Sequence, residues 1–189
     1  GVFSISMADY AKAIDNMIEG HYNLIPAMSF IESQDVGLVL DNPGPTPAQL
    51  RMEAWLNVVH GIKGINWFHY FKPVPDENFA VMEEFTRQIT ELTPVVLGAP
   101  SAIQVKDNAD SRGRRVDFMV REHYKHVYIF AVRVTEKEEL KGSSFVCDFQ
   151  VEGLQPGRIE IYDQDRTITA SKGKFSDTFE PNDVHIYKI

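Results

Sequence analysis

Two groups of side chains in this sequence have the types and spacing to do chemistry. Glu32 and Asp35 follow an apolar run that ends in Phe30-Ile31, and Trp67, His69 and Tyr70 close a second short apolar run. Both runs read as strands, so both groups fall at strand carboxyl ends, where β/α folds meet their ligands. A carboxylate on a rigid strand end can attack a bound substrate or exchange a proton with it. His69 and Tyr70 can donate hydrogen bonds to a substrate hydroxyl or to Glu32. Each residue also has a plainer reading: a solvated acid opening a loop for Glu32, core packing for Trp67, and structural hydrogen bonds for His69 and Tyr70. Alternation puts Trp67, His69 and Phe71 on one side of their strand and Phe68 and Tyr70 on the other.

The elements that must position these residues are legible around them. Thr46 can cap a helix, Pro47 suits its first position and Gln49 completes a capping box. Leu50, Ala54, Trp55, Val58, Val59 and Ile62 recur at helical spacing and form one apolar face, and a glycine turn then leads into the strand ending at Trp67. Upstream, Met7, Tyr10, Ile14, Met17 and Ile18 make a helical stripe behind a Ser6 cap with Asp9 three residues on, closed by Gly20. Asn23 to Ile31 reads as a strand apolar enough to be covered on both faces, with Pro26 near its start. The Ser33–Pro45 loop, containing Asp41-Asn42-Pro43-Gly44-Pro45, is long for a compact unit. A third helix is predicted from Asp76 to Leu92, stopped by Pro94.

That order, helix, strand, helix, strand, helix, leaves two parallel strands with unpaired edges and an uncovered face. Either they join a larger sheet or the chain is part of something longer. The opening Gly1-Val2-Phe3-Ser4-Ile5-Ser6, with no initiator Met, reads as the middle of a polypeptide.

From Ala99 the period changes to two. Strands are expected at Ala102–Lys106, Val116–Glu122, His126–Val134, Ser144–Val151, Arg158–Asp163, Thr167–Ala170, Lys174–Phe179 and Asp183–Lys188, with turn signals between them. Evenly spaced short strands argue an antiparallel sandwich. The boundary near Leu97-Gly98-Ala99-Pro100 gives two expected regions, 1–97 and 98–189.

Composition narrows the partners. The chain has 189 residues, a formal charge of −8 and a pI near 5.2, against the basic stripe that nucleic-acid binding needs. No apolar run approaches the roughly 20 residues that span a bilayer. Cys147 is the sole cysteine and alternates with Phe145 and Phe149, as a buried structural thiol would. No spacing of His, Cys, Asp and Glu suggests a metal. Asp163-Gln164-Asp165 lacks the glycine and distal Glu of a calcium loop and reads as a turn. No phosphate loop or nucleophile elbow is present, so no cofactor is expected. His60, before Gly61 at a helix end, suits the helix dipole.

The run Pro45-Thr46-Pro47, Gln49-Leu50-Arg51, Trp55, His60-Gly61, Lys63-Gly64-Ile65 and Trp67 resembles the seventh helix and eighth strand of (β/α)8-barrel glycoside hydrolases. The ending from Gly173 to Tyr187 resembles the last strands of the β-sandwich appended to such barrels. The resemblance implies an α/β plus all-β chain, the last quarter of a TIM barrel followed by an antiparallel sandwich. It implies cellulase- or xylanase-like cleavage of β-linked glycans, and a secreted or periplasmic location. Glu32 then stands where retaining enzymes of this kind carry the nucleophile, with Asp35 as the fallback acid. Trp67 becomes a sugar-stacking platform, with His69 and Tyr70 shaping the sugar site. The first six barrel strands, including the one that usually bears the acid/base carboxylate, must come from another chain or from a longer parent. A second reading from a different class is a non-catalytic carbohydrate-binding or interaction module, which a row of exposed aromatics on the sandwich would favour.

Overall fold

The computed structural model describes residues 6–22, 24–35, 44–68, 73–109, 114–135 and 142–189, and the chain divides into two compact units, Gly1–Glu91 and Leu92–Ile189. In the first unit, helix α1 (Met7–Gly20) starts where the Ser6 hydroxyl accepts the Asp9 amide at 3.1 Å. Gly20 does not close it by a left-handed turn. It is the last helical residue, and the positive φ of 53° falls on Tyr22. Helix α2 (Pro47–Val59) opens with both arms of the expected capping box: Gln49 N donates to Thr46 Oγ1 at 3.3 Å, and Thr46 N to Gln49 Oε1 at 2.9 Å. Gly61, at φ +91°, then turns the chain into strand β2 (Gly64–Phe68), which pairs in parallel with β1 (Met28–Glu32).

Strand β1 is shorter than its run of apolar residues implies. Leu24 and Ile25 stay exposed ahead of it, because Pro26 has no amide to give a ladder and the partner strand begins only opposite Met28. Along β1, Ser29 and Ile31 point towards the helices, while Met28 and Phe30 on the other face are 59 % and 70 % exposed. Neither outer edge of this two-stranded sheet has a partner strand among the described residues.

Helix α2 is buried well beyond one face: Met52, Leu56 and Asn57 join Leu50, Ala54, Trp55 and Val58. Its flanks explain this. On one side Tyr10 of α1 meets Asn57, and Asp15 Oδ1 lies 2.7 Å from His60 Nδ1 at the α2 C-cap. On the other, Trp55 donates to Gln88 at 3.3 Å and packs edge-on against Phe85, both on α3 (Asp76–Val96). Full burial of a side chain such as Leu50 or Leu56 contributes about 2 kcal/mol. The third helix does not stop before Pro94. Proline removes one ladder donor, but Leu97 N still bonds Thr93 O at 3.0 Å, and buried Val95 and Val96 hold the last turn in place.

The second unit is antiparallel throughout. Its strands are β3 (Val105–Asp107), β4 (Arg114–His123), β5 (His126–Thr135), β6 (Phe145–Val151), β7 (Gly157–Ile161), β8 (Thr167–Ala170), β9 (Lys174–Phe179) and β10 (Val184–Lys188). They form a five-stranded sheet, β4-β5-β10-β7-β8, and a three-stranded one, β3-β6-β9. Strand β3 starts at Val105, opposite Val151 of β6, and residues 102–104 lie outside it, although Gln104 O still accepts Glu152 N at 2.9 Å. The core between the sheets is aromatic: Phe149 stacks on Phe175 at 4.9 Å, and Tyr187 tilts against both. Cys147 is fully buried there, and burial above all pushes its thiol up to about 12, so it stays an inert thiol. On β4, Arg121 donates to Val96 O at 3.3 Å. The end of α3, from Leu92, belongs to this unit, whereas the turn at Leu97–Pro100 suggests a division near residue 98.

A polar network crosses the sandwich. Asp177 on β9, 6 % exposed, receives a bidentate Arg166 at 2.8 and 2.9 Å, Tyr187 OH at 2.9 Å and His185 Nδ1 at 2.9 Å. Burial alone would raise the Asp177 pKa, but hydrogen bonds from His185, Arg166 and Tyr187 and the His185 charge hold it well below the ordinary carboxylate range. Burial also opposes the charged form of His185, and Asp177 with Asp183 reverses that, so its pKa is raised. Asp163-Gln164-Asp165 is the turn between β7 and β8.

Candidate functional site

The candidate residues lie at the carboxyl ends of the two parallel strands. Cross-strand partners in a parallel ladder share a face, so the register Glu32↔Phe68 and Ile31↔Trp67 assigns the candidates directly. Glu32 is exposed on the face turned away from the helices, with Met28, Phe30, Asn66 and Phe68. Trp67 lies on the opposite face. Its ring packs edge-on against Phe85 of α3 at 5.7 Å and borders a groove lined along α3 by Phe79, Met82, Thr86, Arg87 and Thr90. The structure therefore does not bring Glu32 and Trp67 together over one sugar. The reason is the two-residue period: a strand cannot point residue 67 the same way as residue 68. The aromatic beside Glu32 is Phe68. His69 and Tyr70 lie outside the described residues, as do positions 36–43 of the long loop.

The chain just after Glu32 is tightly held. Ser33 is fully buried, and its backbone N and its hydroxyl both donate to Phe68 O, at 3.0 and 2.9 Å. Asn78, in the first turn of α3 and 2 % exposed, donates through Nδ2 to Ser33 O and to Pro45 O, each at 3.0 Å. Gly44, at φ +79°, lies so close to the chain after Ser33 that a Cβ there would sit 2.5 Å from Asp35 N and 2.6 Å from the Gln34 carbonyl carbon. Only glycine fits that approach. Asp35 is half-buried beside it. Asn78 Oδ1 is buried without a hydrogen-bond partner, which costs about 1–3 kcal/mol in a folded chain.

A second carboxylate stands in this unit that the sequence did not single out. Glu53 of α2 is pushed up to about 7, first by burial and then by the charge of Glu32, with a hydrogen bond from Tyr10 opposing. The Tyr10 hydroxyl also meets Ser29 Oγ at 2.9 Å and the Asn57 side chain at 3.0 Å. Because Ser29 points towards the helices, this cluster belongs to the layer behind the strand rather than to the open face carrying Glu32. The available signal is that Glu53 sits inside Met52-Glu53-Ala54-Trp55, a stretch buried on most sides. Asn66 and Phe68 are equally readable, by alternation, once the register is known.

Among the described residues no group of His, Cys, Asp and Glu has the arrangement to hold a metal ion, and no helix is long and apolar enough to cross a membrane.

The sequence matches no protein-family model and no curated protein. The fold, by contrast, is similar to that of solved glycoside hydrolases. An α-amylase from Geobacillus thermoleovorans, solved with acarbose, superposes with a TM-score of 0.63 at 11% identity, over 96% of this chain and 42% of that one. An Anoxybacillus α-amylase gives 0.60 at 12% identity, over 95% and 45%. A maltogenic α-amylase from Thermotoga neapolitana gives 0.57 at 10%, again over 95% and 45%. The chain thus spans less than half the length of these enzymes and shares its fold with part of each.

Proposed function

We propose that this chain is the C-terminal part of a retaining glycoside hydrolase that cleaves β-linked polysaccharide of glucan or xylan type, secreted or periplasmic. The observation that carries the reading is the placement of Glu32. It stands at the carboxyl end of a parallel strand, on the face turned from the helices, next to an anchored Ser33. In this reading Glu32 attacks the anomeric carbon while an acid protonates the departing glycosidic oxygen, and water then hydrolyses the glycosyl ester. The acid belongs to the strands that complete the sheet, roughly 5 Å from Glu32. Those strands come from a longer parent or a second chain and cover the exposed Met28 and Phe30 and the unpaired edges of β1 and β2. Linkage rests on the Thr46–Trp67 motif, because the fold similarity does not choose between α and β bonds.

A carbohydrate-binding module would need a row of exposed aromatics on the sandwich. Among its described residues Tyr124 is the one strongly exposed aromatic, and the enzyme reading is preferred.

The test is the complete enzyme assayed on β-glucan and xylan against starch, with Glu32→Gln alongside. The isostere keeps shape but cannot form the ester, so kcat should fall by on the order of 10³ or more with folding and glycan binding retained. Glu32→Gly with azide should recover cleavage of an activated substrate. Near-normal turnover by Glu32→Gln removes this residue from the mechanism.

A further inference from the structure

We infer that Asn78 is the positioning residue for Glu32, its amide acting as a two-pronged donor that fixes the strand end on which the carboxylate rides; this rests on the reading of Glu32 as nucleophile. Ser33 O and Pro45 O are twelve residues apart in sequence, and one Nδ2 group reaches both at 3.0 Å. The amide orientation is decided by chemistry. Turned over, Asn78 would aim an oxygen at two carbonyl oxygens, with no hydrogen between them. The fold instead leaves Asn78 Oδ1 buried and unpartnered, an arrangement that calls for an explanation. Donation to Ser33 O supplies one. Ser33, the residue that follows Glu32, is then tied to both neighbours in the fold: its amide and hydroxyl to β2 at Phe68 O, and its carbonyl to α3 through Asn78. The Pro45 bond adds the segment that leads into α2. A nucleophile must be held within about 0.5 Å of its attack geometry, and the side chain of Glu32, open to solvent, draws that constraint from its backbone.

The test is a cycle in the complete enzyme. Asn78→Ala should lower kcat about 10- to 100-fold with KM nearly unchanged, measured well below the melting temperature. In the Glu32→Gly background rescued by azide, the attacking anion is not carried by the strand. There the same Asn78→Ala change should cost less than about 3-fold. If Asn78→Ala does not fold, Asn78→Ser keeps one donor and should show the same asymmetry at smaller amplitude. An equal loss in both backgrounds, or an unchanged kcat, overturns the positioning role while leaving Glu32 as nucleophile. Full activity of Glu32→Gln overturns the nucleophile reading itself, and the positioning role with it.

Discussion

The two units place their large apolar residues in opposite ways. In the sandwich, every second residue of β6 turns inward, and Cys147 and Phe149 are completely buried against the facing sheet. In the first unit, β1 buries Ile31 under helices while Phe30, its neighbour, is mostly exposed. Leaving a Phe or Met side chain in water forgoes about 2 kcal/mol each. One unit has both partners for its sheets within its own sequence; the other has helices for one face and nothing described for the second. The lesson is that similar local regularity, a capped helix here and a clean hairpin there, says little about self-sufficiency. What decides it is whether each sheet face and edge finds a partner.

The largest expected effect tests that difference directly. Expressed alone, Leu92–Ile189 should unfold cooperatively, because its strands pair with one another and its core closes between two sheets. Gly1–Glu91 alone should not, since a two-stranded sheet with open edges does not hold a fold in water. The measurement is a thermal or urea transition followed by circular dichroism on each segment. A monomeric Gly1–Glu91 with a sharp transition would dissolve the contrast.

Within the sandwich, Asp177→Ala should destabilise the chain by about 3 kcal/mol, because it removes the acceptor that Arg166, His185 and Tyr187 share and leaves Arg166 only Gln164 and His185 only Asp183. The pH dependence has two arms. Asp177 has a depressed pKa, so its contribution is present above its ordinary 3.8 and is lost as the solution is acidified below that. His185 has a raised pKa, so its contribution is full below its ordinary 6.5 and fades as pH climbs through the raised value. Stability from this network should therefore be greatest between about pH 4 and 6.5, and the acid arm should be absent in Asp177→Ala, where Asp183 alone still faces His185. A variant that melts with the parent at pH 5 would reduce the network to decoration.

How far the sequence can be read divides along the same line. Strands β8 and β9 have the bounds that alternation alone predicts, because the pattern of a two-sheet core is a local signal. Helix α2 and its capping box are legible for the same reason. The errors fall where partners decide. The apolar run starts β1 four or five residues too early, since Leu24 and Ile25 look like strand residues until the parallel neighbour fails to reach them. Pro94 looks like a stop, though a proline in the last turn of a helix held by buried Val95 and Val96 is tolerated. At the site, alternation is evident from sequence but its phase is not. Whether Trp67 or Phe68 shares a face with Glu32 depends on the pairing of β1 with β2, which no single strand encodes. Asn78 carries no local signal, because its significance lies in two carbonyls more than thirty residues away.

The smallest expected effect concerns the helix-covered side of the incomplete unit. Glu53 is ordinarily a 4.5 acid and is pushed up to about 7 by burial and by the charge of Glu32. A carboxyl whose pKa is raised on folding contributes most when neutral. Its contribution is full below about pH 4.5 and is lost as pH rises through about 7. Above that, the ionised group sits half-buried near the Glu32 carboxylate, with the Tyr10 hydroxyl donating to it. Glu53→Gln keeps the shape and removes the charge. It should therefore leave stability near pH 5 almost unchanged and raise it at pH 8 by about 1–2 kcal/mol. A thermal melt series of the whole chain from pH 5 to 8, parent against variant, reads the difference. Glu32→Gln should produce part of the same gain at pH 8 by removing the neighbouring charge, and the two gains should not add. Parallel pH profiles for parent and Glu53→Gln would place the proton elsewhere, and the helix layer would lose its claim to sense the charge on the open face.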